Sequence, residues 1–214
     1  MRRHEIETHR SRLDECVIDD EASLAGMTDV YDAAIEASLQ WAIQHRINDI
    51  QIDEAPAAIA IIGMGRYGGR EVNFSSDADV IIIYRPAEGA DDDQANLFAR
   101  KVQEDLRAIL QGPTTFEPKI ELDMDLRPEG KNGPLVRSYA SCEEYYRSWA
   151  STWEHQALLR ARYAAGDASL AEDFLMNIAD PLRYPKIDLT ETQIAEIRKL
   201  KARMEAERLP RGVT

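Results

Sequence analysis

The chain has 214 residues, 44 % of them hydrophobic, enough to bury a core in one ordinary domain or in one domain with an appended helical piece. Twenty-six basic against thirty-nine acidic residues leave a formal net charge of -13, which repels a nucleic-acid backbone, and the basic clusters RRHEIETHR and KLKARMEAERLPR mix signs as solvated helix faces do. No nucleic-acid partner and no membrane span are expected: the apolar runs AAIAIIG and VIIIY are too short to cross a bilayer, and the opening MRRHEIETHR lacks the apolar stretch of a secretory signal, so the expected location is cytoplasmic.

In chain order, residues 29–47 carry Val30, Ala34, Ala37 and Trp41 on one helical stripe, with Tyr31, Ile35, Leu39 and Ile43 beside it. Residues 57–62 and 80–84 are continuous apolar runs that predict buried central strands, with a glycine- and serine-rich connection between them. Leu97, Phe98, Val102, Leu106, Ile109 and Leu110 recur at helical spacing until Gly112 and Pro113 stop the helix. A third strand is predicted over about 119–126. Ser141 and Glu144 read as a capping box, opening a helix with Tyr146, Trp149 and Trp153 on one face; Trp149, Trp153 and Leu158 read as core. Thr190 and Gln193 repeat the device, and the prolines of ADPLRYPKID interrupt the helix between. The second half thus reads as helical. The expected class is α+β, a small mixed sheet with helices on one side, divided into an N-terminal helical segment (1–50), a core (51–140) and a helical extension of the same domain (141–214). The ending RLPRGVT, directly after a strong helix, suggests a piece of a longer polypeptide.

The chemistry concentrates in IIGMGRYGGREVNFSSDADVIII. Gly63, Gly65, Gly68 and Gly69 follow a strand, where bare backbone can approach phosphate oxygens or simply make a tight turn. A dinucleotide fingerprint fits poorly, because no helix-forming sequence follows GMGRYG. Asp77 and Asp79, two apart at a strand entrance, point to one side and can share a cation; alone, such a pair can also just end a loop. Mg²⁺ suits carboxylate oxygens, and Cys16, Cys142, His4, His9, His45 and His155 show no metal-binding spacing. In KIELDMDLRPEG, Glu121, Asp123, Asp125 and Arg127 alternate with Ile120, Leu122, Met124 and Leu126, so one face is core and the other is chemistry or solvent. Arg127 is a candidate electrostatic stabiliser, with a salt bridge to Glu121 or Asp125 as the alternative.

GMGRYGGREVNFSSDADVIIIY, ELDMDLRPEGKNGPLV and YYRSWASTWEHQALLRAR together resemble the glutamine synthetase adenylyltransferase family over about three quarters of the chain, from Ile61 onward. The resemblance implies a polymerase-beta-like nucleotidyltransferase fold in which Asp77, Asp79 and Asp123 hold Mg²⁺ and the glycine loop, with Ser75 and Ser76, holds the triphosphate of ATP. It implies glutamine synthetase as partner and, through flanking domains, a nitrogen-signalling regulatory protein. Arg66 stands where the family has lysine, and Asp125 where many members have arginine, so neither inherits a role. Enzymes of this family have two similar halves, one adding AMP to a tyrosine and one removing it by phosphorolysis. WEHQALLRAR, with His155 and Gln156, resembles the transferring half; removal of AMP, or a non-catalytic nucleotide- or partner-binding module, are the alternatives.

Overall fold

The computed structural model describes residues 20–73, 76–112, 119–185 and 190–208. Its elements are α1 (Asp20–Asp49), β1 (Ala57–Gly63), a short α2 (Gly65–Gly68), β2 (Ala78–Pro86), α3 (Asp92–Gln111), β3 (Leu122–Asp123), β4 (Val136–Ser138), α4 (Tyr139–Ser148), α5 (Thr152–Ala157), β5 (Arg162–Gly166), α6 (Ala168–Phe174), α7 (Asp180–Arg183) and α8 (Glu191–Arg208). β1 is central, antiparallel to β2 on one side and to β5 on the other, and both β3 and β4 pair in parallel along the far edge of β2.

The sheet is covered on both faces, not one. Ile59 and Ile61 of β1 and Val80, Ile82 and Tyr84 of β2 join Tyr31, Ile35 and Leu39 of α1 and Phe98, Val102 and Leu106 of α3. On the opposite face Ala60, Ile62, Ile81 and Ile83 meet Cys142 and Tyr146 of α4 and Leu170, Ala171 and Phe174 of α6. Strands buried on both faces need apolar residues at every position, which is why β1 and β2 read as continuous runs. Cys142 is a packing residue, its thiol pushed up to about 12 by burial.

Local expectations fared unevenly. The buried stripe of α1 is Tyr31, Ile35, Leu39 and Ala42, while Val30 and Trp41 stand 61 % and 55 % exposed. Ser138, not Ser141, caps α4, its side chain accepting from the Ser141 amide; a capping box does occur, at Ser151 and Glu154. The chain breaks between α4 and α5, so Trp149 is 75 % exposed and Trp153 37 % exposed, and of the three residues read as core only Leu158 is buried. Thr190 and Gln193 cap α8 as the pattern predicts. Pro181 interrupts nothing: it sits in the first turn of α7, which continues α6 through the π-helical turn Leu175–Ala179.

β4 and β5 went unpredicted. RYAAG has two alanines and an exposed tyrosine and carries no strand pattern of its own; pairing with β1 and packing of Ala164 and Ala165 make it a strand. The region expected as a purely helical extension therefore supplies one edge of the sheet. α1 clamps that edge: Asp32 accepts two hydrogen bonds from Arg162, and Glu36 Oε2 accepts from the Gly166 amide at 2.7 Å.

Candidate active site

β1 ends at Gly63, and the chain turns through Gly65–Gly69 before returning to β2. The Met64 amide donates to the Asp79 carbonyl at 2.8 Å, stitching the turn to the start of β2. Glycine is required at two places here. Gly65 has φ +51°, and a Cβ on it would strike the Asp79 carboxylate; one on Gly68 would strike the carbonyl oxygens of Arg160 and Gly63. A Cβ on Gly69 would meet the Arg160 side chain, Nη1 at 3.0 Å. The amides of Gly68 and Gly69 are spent inside the turn, donating to Met64 and Gly65 at 2.5 and 3.1 Å.

Asp77 and Asp79 are half-buried at the entrance of β2, on the strand face continued by Ile81 and Ile83. Asp79 pairs directly with Asp123 in the parallel β2–β3 ladder, so their side chains leave the same face. The Asp79 carboxyl is raised to about 6, first by burial and then by the charges of Asp77 and Asp123, against the opposing influence of the Arg66 amide and guanidinium. Three carboxylates thus share one electrostatic site. An oxygen-preferring dication suits that donor set and would relieve its repulsion. Among the described residues no three acidic, histidine or cysteine side chains form a ready-made metal group, and Asp123 Oδ1 already accepts from the Asp125 amide at 2.7 Å.

The remaining sequence candidates divide. Ser75 lies outside the described residues. Ser76 is buried, its hydroxyl donating to Asn73 Oδ1 at 2.9 Å while Tyr31 Oη donates to its carbonyl at 3.0 Å, so it holds the loop before Asp77. The third strand is only Leu122–Asp123, and alternation ends there: Arg127 turns inward, 7 % exposed, donating to the carbonyls of Gly133, Met124 and Lys131 at 2.9, 2.7 and 3.1 Å. Its nearest carboxylate is that of Asp125 at 3.7 Å, which also meets Lys131 at 3.0 Å. Arg127 therefore ties together the loop from Met124 to Gly133.

Three residues of the WEHQALLRAR segment were not singled out individually in the sequence reading. Glu154, 2 % exposed, accepts from the Ser151 amide and hydroxyl and from Tyr145 Oη at 2.8 Å and from the Glu129 amide at 3.2 Å, joining α4, α5 and the Arg127 loop. Its signal was present: a Ser-x-x-Glu spacing three residues past Ser148. The other two, Arg160 and Arg162, reach the glycine turn at Gly69 and at the Tyr67 carbonyl; side-chain chemistry alone offers no cue that they do.

A mixed α+β sheet with a glycine turn at the mouth of a strand bearing paired aspartates defines a nucleotidyltransferase-like fold. Residues 15–177 match the family of glutamate-ammonia ligase adenylyltransferases. The chain belongs to that family. It is 74 % identical over 213 residues, all of this chain, to the bifunctional glutamine synthetase adenylyltransferase/adenylyl-removing enzyme of Bifidobacterium longum (strain DJO10A), and spans 20 % of that protein. Similarly named enzymes of Mycobacterium avium (strain 104) and Mycobacterium tuberculosis (strain ATCC 25618 / H37Rv) are 48 % identical over 87 % of the chain, which spans 19 % and 18 % of their lengths. The chain thus covers about a fifth of these relatives. No described helix is long and apolar enough to cross a membrane.

Proposed function

We propose that this chain transfers AMP from ATP to a tyrosine hydroxyl of glutamine synthetase, with Asp77, Asp79 and Asp123 as the ligands of Mg²⁺. The observation that carries the reading is the Asp79–Asp123 register, which sets a raised, half-buried carboxyl opposite a second one beside a glycine turn. Mg²⁺ bound there would neutralise charge on the triphosphate and lower the pKa of the attacking hydroxyl. The protein's own contribution is placement. Gly65 leaves room for the Asp79 carboxylate and Gly69 for the Arg160 side chain, so both groups lie close against the turn. Ser76 and Arg127 position the loops that deliver Asp77 and Asp123. The phenolic oxygen forms its bond to the α-phosphorus as the bond to pyrophosphate breaks, and the phenolic proton is released.

The reverse chemistry, attack of inorganic phosphate on an AMP–tyrosine ester to release ADP, has the same needs at the three aspartates, and the relatives' names include adenylyl removal. The weight for transfer rests on WEHQALLRAR. A nitrogen-signalling protein acting through flanking domains and a cytoplasmic location complete the proposal.

Labelled ATP with unmodified glutamine synthetase tests it: labelled protein and pyrophosphate are expected, both requiring Mg²⁺. Phosphate-dependent release of ADP from modified glutamine synthetase, with no pyrophosphate formed in the forward assay, would reverse the direction and leave the metal assignment standing. Neither product in either assay would leave a nucleotide- or partner-binding module.

A further inference from the structure

A triphosphate brought to a chain of net charge -13 needs local cations, and the arginines around the glycine turn are unequally available. Arg162 is committed: Nη1 and Nη2 meet the two Asp32 oxygens at 3.0 and 2.8 Å, Nη2 also donates to the Tyr67 carbonyl at 3.2 Å, and the guanidinium lies 4.8 Å from the Tyr67 ring centre. Arg127 is spent on carbonyls. Arg70 pairs with Asp29 at 2.6 Å, on α1.

Arg160 differs from these. It is half exposed, and its ion-pair partner among the described residues is Glu71, 2.5 Å away and itself half exposed, which is the kind of ion pair that water screens and that costs little to exchange. Its guanidinium rests over Gly69, whose amide closes a helical bond onto Gly65 at 3.1 Å. Gly65 and Gly69 are the two ends of this single turn: the Asp79 carboxylate fills the side-chain position of Gly65, and the Arg160 guanidinium lies against that of Gly69. Arg162, two residues on, fixes the segment to the turn, and the Arg160 carbonyl packs where Gly68 has no side chain.

We propose that Arg160 is a phosphate-binding residue of the nucleotide site, released by Glu71 to the polyphosphate tail as nucleotide enters; this rests on the site reading given under Proposed function. A guanidinium offers two parallel donors to a phosphate, and a multiply charged tail outcompetes a single solvated carboxylate for them. Glu71 holds the arginine over the turn in the meantime and keeps it from other anions.

The test measures equilibrium binding of ATP, inorganic tripolyphosphate and adenosine to the 214-residue chain in magnesium buffer, for the unaltered protein, Arg160→Gln and Glu71→Gln. Arg160→Gln is expected to weaken ATP and tripolyphosphate about tenfold or more and to leave adenosine unchanged. Glu71→Gln is expected to move both anions the other way, tightening them about two- to fivefold, because it removes the competing carboxylate. An ion pair of purely structural value would make the two variants behave alike, so equal weakening overturns the proposal, as does undiminished tripolyphosphate binding in Arg160→Gln. If the unaltered chain binds neither ATP nor tripolyphosphate, the nucleotide-site reading itself fails and the Arg160 assignment falls with it.

Discussion

Asp79 and Asp123 face each other across the parallel pairing of β2 and β3, one register step from Ala78 and Leu122, which anchor the opposite face in the core. The geometry makes Asp79 costly to ionise without a cation, because burial and two like charges oppose the same proton loss. Asp77→Asn and Asp79→Asn are expected to abolish Mg²⁺-dependent turnover while leaving stability in chelator unchanged or higher. The pH dependence has a definite sign. A carboxyl raised from 3.8 to about 6 binds its proton more tightly folded than unfolded, so its contribution to stability is best at low pH and is lost as pH rises through that window. Asp79→Asn lacks this loss, and its advantage in Tm over the unaltered chain should be largest near pH 7 and shrink toward pH 4. Calorimetry in chelator across that range checks it; a gap that widens on acidification contradicts the assignment.

Asp123 and Asp125 were read as sharing a strand face, yet only Asp123 lies in the ladder, and Asp125 turns away to Arg127 and Lys131. Asp123→Asn should therefore cost several kcal/mol of transition-state stabilisation, on the scale of a lost metal ligand, and Asp125→Asn roughly one or less. Comparison of kcat/KM separates them, and equal losses would show that the turn moves on binding to deliver both.

The glycines of the turn are not equivalent. Gly68→Ala would put a methyl group against two backbone carbonyls that cannot step aside, and a loss of about 3 kcal/mol, or about 6–12 °C in Tm, is expected. Gly69→Ala meets the far end of a flexible arginine at 3.0 Å and should cost less than about 1 kcal/mol, while displacing Arg160 and weakening ATP. Thermal melts and nucleotide titrations on both variants decide this.

For Arg127 the expectation is structural. Arg127→Lys leaves one compact ammonium to serve three carbonyls aimed at a planar fork, and a loss of about 3 kcal/mol is expected, with activity falling because the loop after Asp123 loosens. If Arg127→Lys keeps its Tm and loses only kcat, the arginine acts on the reacting phosphate.

How much of this was legible beforehand depended on whether neighbours in sequence were also neighbours in space. β1, β2 and α3 were readable because their periodicity records burial on two faces or on one, and Asp77 and Asp79 because a two-residue spacing already puts them on one side of a strand. The family was readable because its residues fall in three short blocks, Gly63–Tyr84, Glu121–Val136 and Tyr145–Arg162, each contiguous in sequence. Tertiary structure alone decided the rest. β5 is a strand because β1 has an open edge, although Arg162-Tyr163-Ala164-Ala165-Gly166 has no preference of its own. Arg127 left its expected face because three carbonyls of a tight loop converge on it, and alternation has no meaning once a strand stops after two residues. Arg160 reached the glycine turn from about ninety residues away because α1 and Arg162 hold its segment there, and contacts of that span are set by how the layers close, which no local pattern encodes.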